Sequence, residues 1–149
     1  LDVFASGGNE IVSAAKALKK KKLLGFLADQ DGYIHGLPVP FLGQPSSAVV
    51  GPATFAKKFD SPVVPIFASR KPEGGHIVHI LPPLHYKHSG DDDVDMYTLT
   101  KECVRVTEDF IREHPDEWIW FQHRWMTKMS EIVDYDKKLE IRERAHEKQ

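Results

Sequence analysis

Apolar residues follow two different patterns at the start of the chain. A stripe at helical spacing is formed by Ile11, Ala14, Ala15 and Leu18. With Asn9 as a candidate cap, this stripe predicts a helix that begins at Glu10 and ends in the lysine run at residues 19–22. Residues 23–28 form a short continuous apolar run, which indicates a buried strand of a parallel sheet. That strand ends abruptly at the polar residues 29–31.

The middle of the chain predicts a second helix and two more strands. Residues 32–45 are dense in glycine and proline and indicate a structured loop. Ser46 or Ser47 can cap a helix that runs to about Phe59 and is interrupted near Gly51 and Pro52. Residues 62–68 have the pattern of a second buried strand. After a turn at residues 71–75, residues 76–81 are predicted to pair back onto it.

The last third combines a long helix with a tryptophan cluster. Residues 84–95 read as a polar loop, and residues 97–114 have helical spacing. Pro115 ends that helix and is predicted to start a short one that carries Trp118, Trp120 and Trp125. Three interpretations of the cluster are open: it anchors a core, it faces a membrane, or it lines a binding cleft. On a helix Trp118 and Trp120 point about 200° apart, and we predict that Trp120 matters more for folding.

The alternation of helices and strands predicts an α/β fold. We expect a central mixed, partly parallel sheet that is flanked by helices and incomplete at the N-terminus. Ligands of such sheets bind beyond the carboxyl ends of the strands. This rule directs attention to Asp29, Gln30 and Asp31 after one strand, and to Ser69 and Arg70 after the next. The simpler alternative for these charged residues is ordinary surface ion pairing.

Composition narrows the class of protein. The 149 residues suit one domain, which we place at residues 1–130, followed by a charged tail or helix at residues 131–149. A net charge of −2 gives no basic field for nucleic acid. No apolar run reaches the roughly 18–20 residues of a membrane span. The chain starts at Leu1 without a methionine, so we expect it to be part of a longer protein.

Several segments, in order, resemble the bacterial lipid A biosynthesis acyltransferases, the lauroyl and myristoyl transferases of the glycerolipid acyltransferase superfamily. The resemblance is carried by residues 24–31, 39–45, 51–53, 61–65, 70–74, 81–83 and 115–120. No single segment is specific, and the joint occurrence of the segments carries the resemblance. The order and spacing match over most of residues 10–128.

The resemblance implies an activity. Similar enzymes move a fatty acyl chain from an acyl carrier protein or another acyl thioester to a hydroxyl, or an acyl-linked hydroxyl, of a lipid A precursor or related glycolipid. They use no metal and no organic cofactor, and they work at the cytoplasmic face of the inner membrane behind an anchor. Their general base is the histidine of a His-x-x-x-x-Asp/Glu motif. That motif and the anchor are expected upstream of Leu1, so we expect this portion to be inactive alone.

The resemblance also implies site residues. Asp29 and Asp31 are predicted to be catalytic, by orienting an arginine or the acceptor sugar. The predicted substrate-binding residues are Gln30, Arg70 and Arg124, with arginine suited to acceptor phosphates. The chain departs from the family pattern at Gln122, where a histidine is usual, and at His123, where an arginine is usual.

One match to the catalytic spacing is expected to be accidental. His88 and Asp93 have the His-x-x-x-x-Asp spacing, but they lie in a polar segment after the last predicted strand. The acids at residues 91–93 read as a solvated loop beside the positive end of a helix. Binding of a cation by their oxygens is the alternative.

Two other functions stay open beside acyl transfer. The first is a non-catalytic α/β domain that binds lipid or an acyl carrier. The second is an α/β enzyme that acts on a phosphate or nucleotide; it is disfavoured because no glycine-rich phosphate loop joins a strand to a helix.

Overall fold

The protein is a mixed α/β structure, seen here in a computed structural model that describes residues 10–86 and 88–147. The helices are α1 (Glu10–Lys19), α2 (Gly51–Phe59), α3 (Asp92–Glu113) and α4 (Tyr135–Glu147). The strands are β1 (Leu37–Pro38), β2 (Ser47–Ala48), β3 (Ile66–Arg70) and β4 (His76–Ile80). Short 3-10 turns cover Tyr33–His35, Pro115–Glu117 and Met129–Glu131.

The strands form two small antiparallel sheets. β1 pairs with β2 through Leu37 opposite Ala48. β3 pairs with β4 in a hairpin that runs from Ile66 opposite Ile80 to Arg70 opposite His76. The predicted return of residues 76–81 onto the preceding strand is therefore confirmed.

The predicted parallel central sheet is not formed by the described residues. Residues 23–28 have no regular secondary structure and belong to no sheet, and Leu23 and Leu27 are exposed. The second predicted strand is displaced toward the turn, because β3 begins at Ile66 and not at residue 62. An apolar run indicates burial, but a strand forms only beside a partner edge, and the described part of the chain supplies none for residues 23–28.

The helices differ from prediction mainly where they begin. α1 matches its predicted span, while its proposed cap, Asn9, lies outside the described residues. α2 begins at Gly51 with Pro52 in its first turn. Ser46 and Ser47 do not cap it, because their hydroxyls donate to the carbonyls of Val39 and Tyr33.

The long helix α3 begins at Asp92, inside the segment predicted as loop. The Asp91 carboxylate accepts hydrogen bonds from the backbone N–H groups of Asp93 and Val94. This side-chain cap satisfies helix donors that otherwise lack partners, so the helix starts five residues earlier than the apolar spacing indicated. The prediction that these acids lie beside the positive helix end is confirmed.

The main core lies between α3, α4 and the loop around β1. It includes Leu37, Phe41 and Tyr97 together with Ile141 and Ala145. The last two residues belong to α4, so the charged C-terminal segment buries an apolar stripe against α3. Burial raises the pKa of Tyr97 to about 12.

The β3–β4 hairpin packs on the C-terminal part of α3. The Phe67 ring stacks on Phe110 with centroids 4.4 Å apart. α2 contributes Ala53 and Ala56 to a smaller cluster with Leu99. Within the described ranges, no helix has the length and apolar content needed to cross a membrane.

Candidate active site

Asp31 joins two distant parts of the chain. Asp31 follows the apolar residues 23–28 closely in sequence, and it is almost fully buried. One carboxylate oxygen accepts from the Thr127 hydroxyl at 2.6 Å and from the Tyr33 N–H at 2.7 Å. The other accepts from the Thr127 N–H at 3.0 Å. Three hydrogen bonds to a buried carboxylate make Asp31 an anchor between the loop and the segment after the tryptophans.

Asp29 binds the same later segment through a second set of contacts. Its Oδ2 accepts from the Trp118 indole N–H at 3.1 Å and from the Gln122 amide at 3.3 Å. Gln122 stands where the related enzymes usually have a histidine, and here it holds Asp29. The predicted substrate-binding residue Gln30 lies between the two aspartates and is exposed.

Arg124 is buried, with 1% of its surface exposed. Its Nη1 donates to the Ser47 carbonyl at 2.8 Å, and its guanidinium lies 4.5 Å above the Phe41 ring centroid. Nε and Nη2 have no hydrogen-bond partner among the described residues. Burial lowers the pKa of Arg124, while the charges of Asp31, Asp29 and Glu108 act in the opposite direction.

We call this set the polar latch: Asp29, Asp31, Trp118, Gln122, Arg124 and Thr127. Its bonds cross 77–96 residues of sequence, so they fix the loop after residues 23–28 against the tryptophan segment. Asp29 is the aspartate of the latch that is only partly buried. It is therefore the carboxylate with a side open to a ligand.

Arg70 approaches the same segment from the end of β3. Its Nε donates to Glu117 Oε2 at 3.0 Å, and its backbone N–H donates to Glu117 Oε1 at 2.8 Å. Nη2 reaches the Asp116 carbonyl at 3.0 Å. The hydrogen bond from the Arg70 backbone is the main cause of a lowered Glu117 pKa. The Arg70 side chain is 63% exposed, so it can meet a ligand without leaving this pair.

Asp29 and Arg70 are thus brought to one place. Asp29 is bound to Trp118, and Arg70 is bound to the adjacent Glu117. The residues that follow the two predicted strands therefore both contact the segment at residues 116–122.

The tryptophans lie on extended and turn backbone, and the predicted helix is absent. A single 3-10 turn ends at Glu117, and Trp118 is extended. Trp118 and Trp125 pack against Phe41 at 5.4 and 5.8 Å between centroids. Trp120 is 51% exposed; its ring lies edge-on to Trp118, and its indole N–H donates to the Pro115 carbonyl at 2.6 Å. The prediction that Trp120 is the main anchor is therefore wrong on geometry, because Trp118 holds the core contacts.

An apolar groove of about 470 Å³ adjoins this site. Its lining includes residues 24–28 and 61–68. The rings of Phe55 and Phe110 also line it, together with Asp29, Glu117 and Trp118 from the site. Its volume is in the range of small-molecule sites.

The His88–Asp93 match does not form a catalytic pair. His88 Nδ1 lies 3.1 Å from Oδ2 of Asp95, not from Asp93. The buried Asp95 also accepts from Ser89 and Lys57, so it is the centre of a local network at the start of α3. In the described part of the chain, no group of three His, Cys, Asp or Glu side chains is placed to hold a metal ion.

Sequence reasoning missed three partners of the site. Thr127 carries two of the bonds to Asp31, and the Ser47 carbonyl receives Arg124. Glu117 is the carboxylate that holds Arg70. Glu117 had a signal, since it precedes Trp118 in the recognised motif. Thr127 and the Ser47 carbonyl had none, because their contacts depend on chain crossings between remote segments.

The fold and the site define an α/β protein with a polar latch beside an apolar groove. The family model described as bacterial lipid A biosynthesis acyltransferase matches residues 3–127. The chain therefore belongs to this family, as the motifs at residues 24–31 and 115–120 indicated. A search of curated proteins gave no match.

Proposed function

We propose that the chain is part of an enzyme that transfers a fatty acyl chain from an acyl carrier thioester to a hydroxyl of a lipid A precursor or related glycolipid. The observation that carries this proposal is the meeting of Asp29 and Arg70 at Trp118 and Glu117. It assembles a carboxylate and an exposed guanidinium beside an apolar groove. Such a site suits a substrate that is polar at one end and apolar at the other.

Each predicted site residue takes a separate role in this proposal. Asp29, held by Trp118 and Gln122, orients the acceptor sugar through its open side. Arg70 contacts an acceptor phosphate, to which a guanidinium offers paired donors. Gln30 is exposed beside them and adds an amide contact.

Asp31 and Arg124 act indirectly, by holding other residues of the site in place. Both are buried and are bonded to the chain itself, so they hold the loop that carries Asp29. The general base is the histidine of a His-x-x-x-x-Asp/Glu pair supplied by another part of the enzyme. We therefore expect residues 1–149 to show no turnover by themselves.

The same proposal extends to the domain and to the cellular location of the enzyme. Residues 1–130 form the C-terminal portion of an acyltransferase α/β domain with a partly parallel sheet, and residues 131–149 are its charged end. The enzyme works at the cytoplasmic face of the inner membrane, where its glycolipid acceptor is found. The apolar side chains exposed at residues 23–28 and on the hairpin support a larger domain, because such surface is costly to leave in water.

A non-catalytic lipid- or carrier-binding domain is the second candidate. The unpartnered donors of the buried Arg124 are compatible with a site that has no reaction to perform. The two functions separate in one assay, since a binding domain retains ligand without turnover.

The test uses the enzyme that contains this chain, with lauroyl-acyl carrier protein and a lipid A precursor. We expect Arg70→Ala to raise KM for the acceptor by about ten-fold, equivalent to one lost charged contact. Arg105→Ala is the matched control, because Arg105 is a similarly exposed arginine on α3 that pairs with Glu102 and Asp109. Binding without turnover in the wild type, or equal KM in both variants, would contradict the proposed acceptor site.

A further inference from the structure

Trp120 carries a half-exposed aromatic ring that the chain holds in a fixed position. Its indole N–H donates to the Pro115 carbonyl at 2.6 Å. Its ring lies edge-on to Trp118, with centroids 4.8 Å apart and an interplanar angle of 84°. Even so, 51% of the residue is exposed. A ring that is fixed by two contacts and still half open to solvent presents a rigid apolar surface to a ligand.

The contact with Trp118 places Trp120 near Asp29. Trp118 donates its own indole N–H to Oδ2 of Asp29 at 3.1 Å. Gln122 donates to the same oxygen at 3.3 Å, and Oδ1 receives no hydrogen bond from the described residues. The carboxylate therefore keeps one oxygen for a donor on a ligand, such as a hydroxyl group.

The contact with Pro115 places Trp120 near Arg70. Pro115 directly precedes Asp116, whose carbonyl accepts from Arg70 Nη2 at 3.0 Å. The next residue, Glu117, accepts from Arg70 Nε at 3.0 Å. Nη1 of Arg70 donates to none of the described residues, so it stays available to an anionic group.

The hydrogen bond of the indole N–H distinguishes a sugar from a membrane surface. A tryptophan at a membrane interface places its apolar ring in the lipid and directs its N–H to the polar layer. The N–H of Trp120 is already bonded within the chain, so only the apolar ring is available. A sugar suits that surface, because its C–H groups form an apolar face while its hydroxyl groups surround the rim. The electron-rich face of an indole attracts such C–H groups.

We propose that Trp120 is a binding residue for the acceptor, and that a pyranose ring of the glycolipid stacks on it. The inference rests on the proposed acyl transfer and adds the surface that positions the sugar. A hydroxyl of the same sugar donates to the free oxygen of Asp29, and a phosphate group accepts from Arg70. The two charged residues select polar substituents, and Trp120 selects a sugar over a simple phosphate.

Steady-state kinetics test the proposal in the enzyme that contains this chain, with lauroyl-acyl carrier protein and a lipid A precursor. We expect Trp120→Ala to raise KM for the acceptor by about ten-fold and to leave KM for the donor unchanged. Trp120→Phe keeps an aromatic face and should stay within about three-fold of the wild type. Phe121→Ala is the matched control, because Phe121 is the next residue in the chain and is 89% exposed.

A binding measurement separates this proposal from acyl transfer itself. Calorimetric titration of the same enzyme compares the anomeric phosphate of glucosamine, which has a sugar ring, with ethyl phosphate, which has none. In the wild type we expect the sugar phosphate to bind about ten-fold more tightly, and in Trp120→Ala we expect this preference to shrink to about two-fold. The preference does not depend on turnover, so it also holds in a domain that only binds.

Three results would overturn the proposal. One is a preference for the sugar phosphate that is as large in Trp120→Ala as in the wild type. Another is a rise of acceptor KM in Phe121→Ala equal to that in Trp120→Ala, which would make this segment a contact with the membrane. The third is an equal rise of KM for donor and acceptor in Trp120→Ala, which would indicate a general loss of structure.

Discussion

The polar latch and the β3–β4 hairpin differ in how many of their polar groups are hydrogen-bonded, and how many of their apolar side chains are buried, within the chain. In the latch, Asp31 is buried with three hydrogen bonds, and Asp29 has two. In the hairpin, the outer face carries exposed isoleucine and valine, and the outer edges of β3 and β4 pair with no further strand of the described residues. The latch is therefore held in place by the chain itself, whereas the hairpin has surface that only a partner can cover.

This difference separates a polar part of the site that is held in place before a ligand binds from an apolar part that is incomplete in the described structure. A site that binds polar groups must hold its own polar groups in place before the ligand arrives, and the latch does so. The hairpin and residues 23–28 provide the apolar side of the same site, and they remain incomplete in the described structure. Substitutions should therefore cost stability in the latch and cost little in the hairpin.

Trp118 offers the largest expected effect in the latch. Trp118→Ala removes the ring that packs on Phe41 and the indole N–H that binds Asp29, so we expect a loss of about 3 kcal/mol in the free energy of unfolding. Trp120→Ala is the control from the same motif and should cost about 1 kcal/mol, because Trp120 is half exposed. Urea denaturation of both variants decides. A larger loss for Trp120 would reverse the assignment of the core anchor.

Asp31 comes next. Asp31→Ala leaves the buried Thr127 hydroxyl and N–H without an acceptor, and we expect a loss of about 2 kcal/mol. Asp31→Asn keeps one oxygen and should cost less. Glu73→Ala, in the exposed turn between β3 and β4, serves as the neutral control. Thermal melts that are the same for Asp31→Ala and Glu73→Ala would remove Asp31 from the latch.

The hairpin should give the smallest effect. Ile80→Thr replaces an exposed apolar residue with one of good strand propensity, so we expect a change within about 0.5 kcal/mol. Ile141→Thr is the matched control in the core, where Ile141 is buried, and it should cost at least about 2 kcal/mol. Similar losses at the two positions would show that the outer face of the hairpin is already covered.

Sequence reasoning succeeded where local pattern determines structure. The stripe from Ile11 to Leu18 gave α1 its correct span, and the turn at residues 71–75 gave the hairpin. The strand-end rule directed attention to Asp29 and Arg70, but the parallel sheet that the rule assumes is not formed by the described residues. The motifs at residues 24–31 and 115–120 identified the family correctly.

Sequence reasoning failed where the local structure depends on contacts with residues far away in the chain. Residues 23–28 have the composition of a buried strand, but a strand exists only beside another edge. Trp118 and Trp120 were assigned to a short helix restarted at Pro115, yet Trp118 is extended, with its indole N–H bonded to Asp29 and its ring packed on Phe41. Asp91 started α3 early through its own carboxylate, a cap that apolar periodicity does not report.

The most direct test of the account is the turnover of the Asp29→Asn enzyme. Asn keeps the size of Asp29 and one oxygen for Trp118 and Gln122, but it removes the charge that the account assigns to the acceptor. With lauroyl-acyl carrier protein and a lipid A precursor, we expect kcat to fall by about 100-fold with an unchanged melting temperature. Full turnover in Asp29→Asn, with its fold intact, would contradict the placement of the active site at the polar latch.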